Sequence, residues 1–84
     1  MHFIASGTDV HPERFGPFLA DEGAVLEQLR AQGTVKAVFK RVFGGGVVSL
    51  VEADSVEQAV EQLARLPLVR EGLLRFELTE VAEL

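Results

Sequence analysis

The sequence predicts an α+β protein whose elements follow in the order β-α-β-β-α-β. Three observations support this fold class. Short apolar runs rich in β-branched residues alternate with segments of helical periodicity, three consecutive glycines separate two of these runs, and a capped helix follows the second run. The 84 residues are enough for one domain spanning residues 1–84.

The first half of the chain predicts a strand, a loop, a helix and a second strand. An extended segment over residues 2–6 leads into a polar loop over residues 8–16 that contains proline and glycine. Pro17 suits the first turn of a helix and Gly33 suits the position after its end, which predicts a helix between them. Side chains that alternate over residues 34–43 predict the second strand.

The second half begins with a turn that lets the chain reverse direction. The glycines at residues 44–46 permit the positive φ of a tight hairpin, and the apolar residues 47–51 predict a buried third strand that pairs back antiparallel. Ser55 suits the N-cap of the next helix, because its hydroxyl can accept a backbone N–H while Gln58 reaches back toward the cap.

Pro67 ends this second helix, since the residue before a proline is forced out of helical geometry. Residues 73–81 alternate again and predict the fourth strand. The complete order is that of a ferredoxin-like fold, a four-stranded antiparallel sheet with two helices on one face. Because strands two and three carry apolar side chains on both faces, we expect the open face to pack against a second sheet in a homodimer, forming an α+β barrel.

Composition narrows the classes of partner. Hydrophobic residues make up 48% of the chain and the mean hydropathy is +0.22, which predicts a surface that contacts a partner. The net charge of -5 disfavours nucleic acid, whose phosphates require a basic surface. There is no cysteine, no apolar run long enough for a bilayer and no signal-peptide pattern, so we expect a cytoplasmic protein without membrane contact.

A family resemblance is spread along nearly the whole chain. The residues that carry it are Gln32, Gly33, Ser49, Glu52, Ser55, Leu63, Leu66, Pro67 and Leu68, together with Asp9, Val10, His11, Glu22, Glu77 and Thr79. This pattern resembles the muconolactone isomerase family, within the group of dimeric α+β barrels. The resemblance implies a small cofactor-independent isomerase or cyclase that moves a proton on a compact lactone or oxygenated ring. The sequence departs from the family in its bare triple-glycine turn and in the lack of an extended tail after Leu84.

Moving a proton between carbon atoms requires a base, together with a cation or hydrogen-bond donor that stabilises the enolate. Glu22 is the first candidate for the base, because its spacing from Leu19 and Leu26 places it on the apolar face of the first helix, where burial would raise its pKa. The alternative is a solvated carboxylate at the positive end of that helix. His11, which follows Asp9 in the first loop, is the second candidate, and its alternative is an exposed polar side chain.

Four further residues are candidates for substrate binding. Lys36 and Arg75 could stabilise an anion, although an edge lysine also prevents aggregation and an arginine in this position could simply pair with Glu77. Lys36 and Lys40 share one face of the second strand and Arg41 lies on the other, so only one of these two sets can face the barrel. Phe15 and Phe18 could wall a small apolar pocket, or could belong to the core.

Two functions therefore stay open at the level of sequence. The first is the isomerase that the resemblance implies. The second is a non-catalytic homo-oligomeric module that binds a small apolar molecule or serves only in assembly. Neither requires a cofactor, and we expect no metal site, because the two histidines have no partner at ligand spacing.

Overall fold

A computed structural model describes residues 1–84. The helices and strands are β1 (His2–Asp9), α1 (Leu19–Ala31), β2 (Val35–Lys40), β3 (Val47–Glu52), α2 (Val56–Leu63), α3 (Pro67–Arg70) and β4 (Leu74–Val81). All neighbouring strands run antiparallel in one sheet, in the order β2-β3-β1-β4. The predicted ferredoxin-like α+β fold is confirmed.

The core lies between one face of the sheet and the helices. Phe3 of β1 and Val51 of β3 are completely buried, and they belong to the same apolar cluster as Leu29 of α1 and Leu63 of α2. Alternation along the strands places the neighbouring side chains on the opposite, open face. That face carries a partly apolar surface made of Ile4, Ala37, Phe39, Val48 and Leu50.

A β-bulge changes the alternation of β2. Val35 pairs with Val51, but Ala37 pairs with Leu50, so Lys36 is an extra residue on this strand. As a result, Val38 and Lys40 share the helix-facing side with Val35. The prediction that Lys36 and Lys40 lie on one face of this strand is therefore wrong.

Some boundaries differ from the predicted ones. The first helix begins at Leu19, because Pro17 lies in a separate 3₁₀ turn over residues 16–18. The second strand ends at Lys40, since residues 41–46 form a loop in which Gly44 and Gly46 have positive φ. The first strand continues to Asp9.

The region around Pro67 contains more structure than the sequence predicts. Ser55 caps α2 by accepting the backbone N–H of Gln58 over 3.0 Å, as its position suggests. Leu66 has an extended backbone with ψ 124°, and Pro67 then begins the short helix α3 instead of only ending α2. This agrees with the preference of proline for the first turn of a helix. None of the helices has the length and apolar character needed to cross a membrane.

Candidate functional site

A cavity of about 270 Å³ that is open to solvent on one side lies between α1 and the sheet. Its walls are mainly apolar and include Phe15, Leu26, Val38, Leu68 and Phe76. Four polar side chains also line it, namely Asp9, Glu22, Lys40 and Ser49. An apolar cavity with a few convergent polar groups is the usual form of a small-molecule site.

Glu22 is the acid that α1 brings to this cavity. Its Oε1 accepts the backbone N–H of Leu68 over 2.9 Å, so the carboxylate is held at the start of α3. Burial raises the pKa of the Glu22 carboxyl above its ordinary value, and the hydrogen bond from Leu68 partly offsets this by lowering it. A half-buried carboxylate of this kind can take up a proton more readily than a solvated one.

Lys40 and Ser49 come from the two neighbouring strands β2 and β3. Their side chains lie on the helix-facing side of the sheet, Ser49 is only 3% exposed, and both residues line the cavity. No carboxylate lies within ion-pair distance of Lys40. The site therefore offers a cation and a hydroxyl together with the carboxylate of Glu22.

Asp9 fixes the glycine turn beside the cavity. Its Oδ2 accepts the backbone N–H of Gly46 over 2.9 Å. A Cβ atom on Gly45 would lie 2.7 Å from the same oxygen, and a Cβ on Gly46 would overlap the carbonyl oxygen of Gly7. The turn thus approaches β1 more closely than any residue with a side chain could, and Gly45 and Gly46 form part of the cavity wall.

The structure places two of the six predicted site residues, Glu22 and Phe15, in the lining of the cavity. Phe18 lies beside it, packed against the cluster of Leu68, Leu73 and Leu74. His11 lies outside: its Nδ1 is 3.3 Å from Glu13 Oε1 and its side chain is 61% exposed.

The two predicted cations also lie outside the cavity. Lys36 Nζ is 3.1 Å from Glu52 Oε2, at the surface, and this ion pair lowers the pKa of Glu52. Arg75 pairs with Thr8 across the sheet and lies on the open face, opposite to its neighbours Leu74 and Phe76. The cation that lines the cavity is Lys40 and not the predicted Lys36.

Three polar residues that line the cavity are not among the predicted site residues, namely Asp9, Lys40 and Ser49. Lys40 is favoured over Lys36 only because of the bulge at Lys36, which no local pattern predicts. For Ser49 a signal exists, since its odd spacing from Glu52 means that only one of the two side chains can face the helices.

Taken together, the fold and the cavity define a ferredoxin-like α+β protein with a small apolar site that holds an acid and a cation. Comparisons with family models and with curated proteins give no match. Two solved structures are similar over almost the whole chain, both with a TM-score of 0.79.

One is 5-chloro-2-hydroxyhydroquinone dehydrochlorinase (TftG) from Burkholderia phenoliruptrix AC1100, in complex with 2,5-dihydroxybenzoquinone. It is 17% identical, and the match covers 98% of this chain and 94% of that chain. The other is muconolactone isomerase, which is 23% identical, and the match covers 99% of this chain and 90% of that chain. The resemblance to muconolactone isomerase is thus confirmed for the fold.

Proposed function

We propose that this chain is a small cofactor-independent isomerase that moves a proton on a compact lactone or oxygenated ring, with Glu22 as the base. The observation that carries this proposal is the half-buried Glu22 carboxylate in the lining of an apolar cavity that also contains Lys40 and Ser49. A carboxylate with a raised pKa and a cation that line the same cavity are the groups that enolate chemistry requires.

The proposed reaction has two proton transfers. The Glu22 carboxylate removes a proton from the carbon next to the ring carbonyl, and the electron pair of the broken C–H bond moves into the enolate. The Lys40 ammonium and the Ser49 hydroxyl stabilise the charge on the enolate oxygen. The Glu22 carboxylic acid then returns the proton to a different carbon of the conjugated system, which shifts the double bond and restores the carboxylate.

The size and lining of the cavity support a compact ring as substrate. A volume of about 270 Å³ is at the small end of ligand sites. The solved dehydrochlorinase with the same fold holds a ring of this type, 2,5-dihydroxybenzoquinone. His11 has no part in this mechanism, because its side chain is mostly solvated and contacts Glu13.

The test is deuterium exchange from D₂O into a β,γ-unsaturated γ-lactone, followed by NMR. We expect the wild-type protein to accelerate exchange and Glu22→Gln to reduce the acceleration about 100-fold or more, because the general base is lost. The amide of Gln can still accept the Leu68 N–H, so the fold is preserved. Glu27→Gln removes an exposed acid from the same helix and is the matched control. Equal exchange by wild type and Glu22→Gln would refute the role of Glu22.

A non-catalytic binding module is the second candidate, and one contact favours it. The hydrogen bond from Leu68 N–H gives Glu22 a structural role at the start of α3, which requires no reaction. For this function we expect wild type and Glu22→Gln to bind the lactone equally, as measured by ligand-induced NMR shifts, without exchange by either protein.

A further inference from the structure

One charged group of the cavity has no part in the proposed proton transfer. Asp9 accepts the Gly46 N–H with its Oδ2, whereas its Oδ1 forms no hydrogen bond or ion pair within the chain. The residue lines the cavity and is only partly exposed. A carboxylate oxygen in such a place is a hydrogen-bond acceptor that a bound molecule can use.

Asp9 and Lys40 lie at the same end of the cavity. Asp9 is the last residue of β1 and Lys40 is the last residue of β2, and both strands run antiparallel to β3. Gly7, which precedes Asp9 by two residues, and Lys40 both pair with Val47. Asp9 and Lys40 form no ion pair with each other, so a ring bound between them can contact both.

The charges of the lining restrict what such a ring can carry. The lining contains the carboxylates of Asp9 and Glu22 but only one cation, Lys40, and it contains no arginine or histidine. In the proposed reaction Lys40 stabilises the enolate oxygen. A carboxylate on the ring would then have no cation to pair with, and Asp9 would repel it. An unpaired charge among apolar walls costs far more free energy than a neutral polar group that forms a hydrogen bond.

We propose that the substrate is a neutral ring that bears a hydroxyl group, and that this hydroxyl donates a hydrogen bond to Asp9 Oδ1. A hydrogen bond to an ionised carboxylate is stronger than one between neutral groups, so Asp9 favours rings with a hydroxyl. Its charge also rejects rings with a free carboxylate, which makes Asp9 a specificity-determining residue. This inference rests on the proposed function, because it assigns Lys40 to the enolate.

The first test compares the dissociation constants of three saturated lactones, namely γ-butyrolactone, α-hydroxy-γ-butyrolactone and γ-butyrolactone-γ-carboxylate. None of them has a double bond to shift, so binding is measured without isomerisation, from the NMR shifts of backbone amides in isotope-labelled protein. We expect wild type to bind the hydroxylactone about 5-fold or more tightly than γ-butyrolactone, and the carboxylate about 5-fold or more weakly. A carboxylate that binds as tightly as the hydroxylactone would overturn the proposal.

The second test replaces Asp9. In Asp9→Asn the amide oxygen can still accept the Gly46 N–H, and the NH₂ group takes the place of the free Oδ1. Because the negative charge is lost, we expect the hydroxylactone to bind about 5- to 10-fold more weakly than to wild type, and the carboxylate about 5- to 10-fold more tightly. Asp21→Asn removes an exposed negative charge from α1 and is the matched control, with both constants within about 2-fold of wild type.

The direction of the two changes separates specificity from structure. If Asp9 only held the glycine turn, Asp9→Asn would weaken the binding of both lactones. Changes in the same direction, or no change in either constant, would therefore overturn the proposal. Failure of the proposed function has a different result, because equal deuterium exchange by wild type and Glu22→Gln would leave these dissociation constants as they are.

Discussion

The carboxylate of Asp9, at the end of β1, accepts a hydrogen bond from the backbone N–H of Gly46, 37 residues further along the chain. This contact ties the glycine turn between β2 and β3 to the strand that lies beside it. Gly46 has φ +96° and is buried. The close approach therefore depends on both the conformation and the small size of this glycine.

Gly46→Ala is expected to destabilise the protein by about 2 kcal/mol or more, because the methyl group adds an overlap with the Gly7 carbonyl to the strain of a positive φ. Gly44→Ala, with φ +76° and open space around it, should cost only about 1 kcal/mol. Gly16→Ala meets nothing within 4 Å and should cost nothing. Urea unfolding measures the free energy of unfolding of all three variants. Equal losses of stability for Gly44→Ala and Gly46→Ala would contradict the predicted overlap with the Gly7 carbonyl.

The raised pKa of Glu22 predicts a pH dependence of stability. The folded state binds the proton of the Glu22 carboxyl more tightly than the unfolded state does. The contribution of this proton to the free energy of unfolding is therefore complete below the ordinary pKa and is lost as pH rises toward the raised value. Glu22→Gln stays neutral throughout. We therefore expect the variant to gain stability relative to wild type as pH rises from 4 to 8, by less than about 1 kcal/mol because half of the group is solvated.

Thermal unfolding at a series of pH values measures this difference. Glu27→Gln, on the exposed side of the same helix, is the control and should follow wild type across the range. If the stability difference between Glu22→Gln and wild type is the same at pH 4 as at pH 8, burial does not raise the pKa of Glu22.

The same pKa sets the acidic limit of the proposed isomerase. A general base must be ionised, so kcat/KM should fall about tenfold per pH unit below the pKa of Glu22. The midpoint of this fall is expected above the ordinary glutamate value of 4.5. Initial rates of lactone deuterium exchange between pH 3 and 9 provide the measurement. A midpoint at or below 4.5 would show that protonation of a different carboxylate causes the loss of activity at low pH.

Local patterns were sufficient for most of the fold. The cap at Ser55 and the alternation of β3 and β4 each depend on residues close together in sequence, so the sequence predicts them well. The sequence does not predict the start of α3 at Pro67, since a proline that ends one helix can also begin another.

The cavity was harder to predict because it depends on distant pairs. Leu68 meets Glu22 across 46 residues, and Gly46 meets Asp9 across 37, so no spacing rule connects them. Glu22 could be proposed because helical periodicity alone placed it on an apolar face. Lys36 and Lys40 could not be separated, because the bulge depends on how β2 pairs with β3.

The bulge leads to a test that separates these two lysines. Lys40→Met should lower kcat/KM for lactone exchange about 10- to 100-fold, because it removes the cation that stabilises the enolate. Lys36→Met loses a surface ion pair with Glu52 and should leave the exchange rate within about 2-fold of wild type. Both substitutions shorten the side chain by one heavy atom and remove one positive charge, so the comparison controls for net charge. A larger loss from Lys36→Met than from Lys40→Met would contradict the role of Lys40 as the cation that stabilises the enolate.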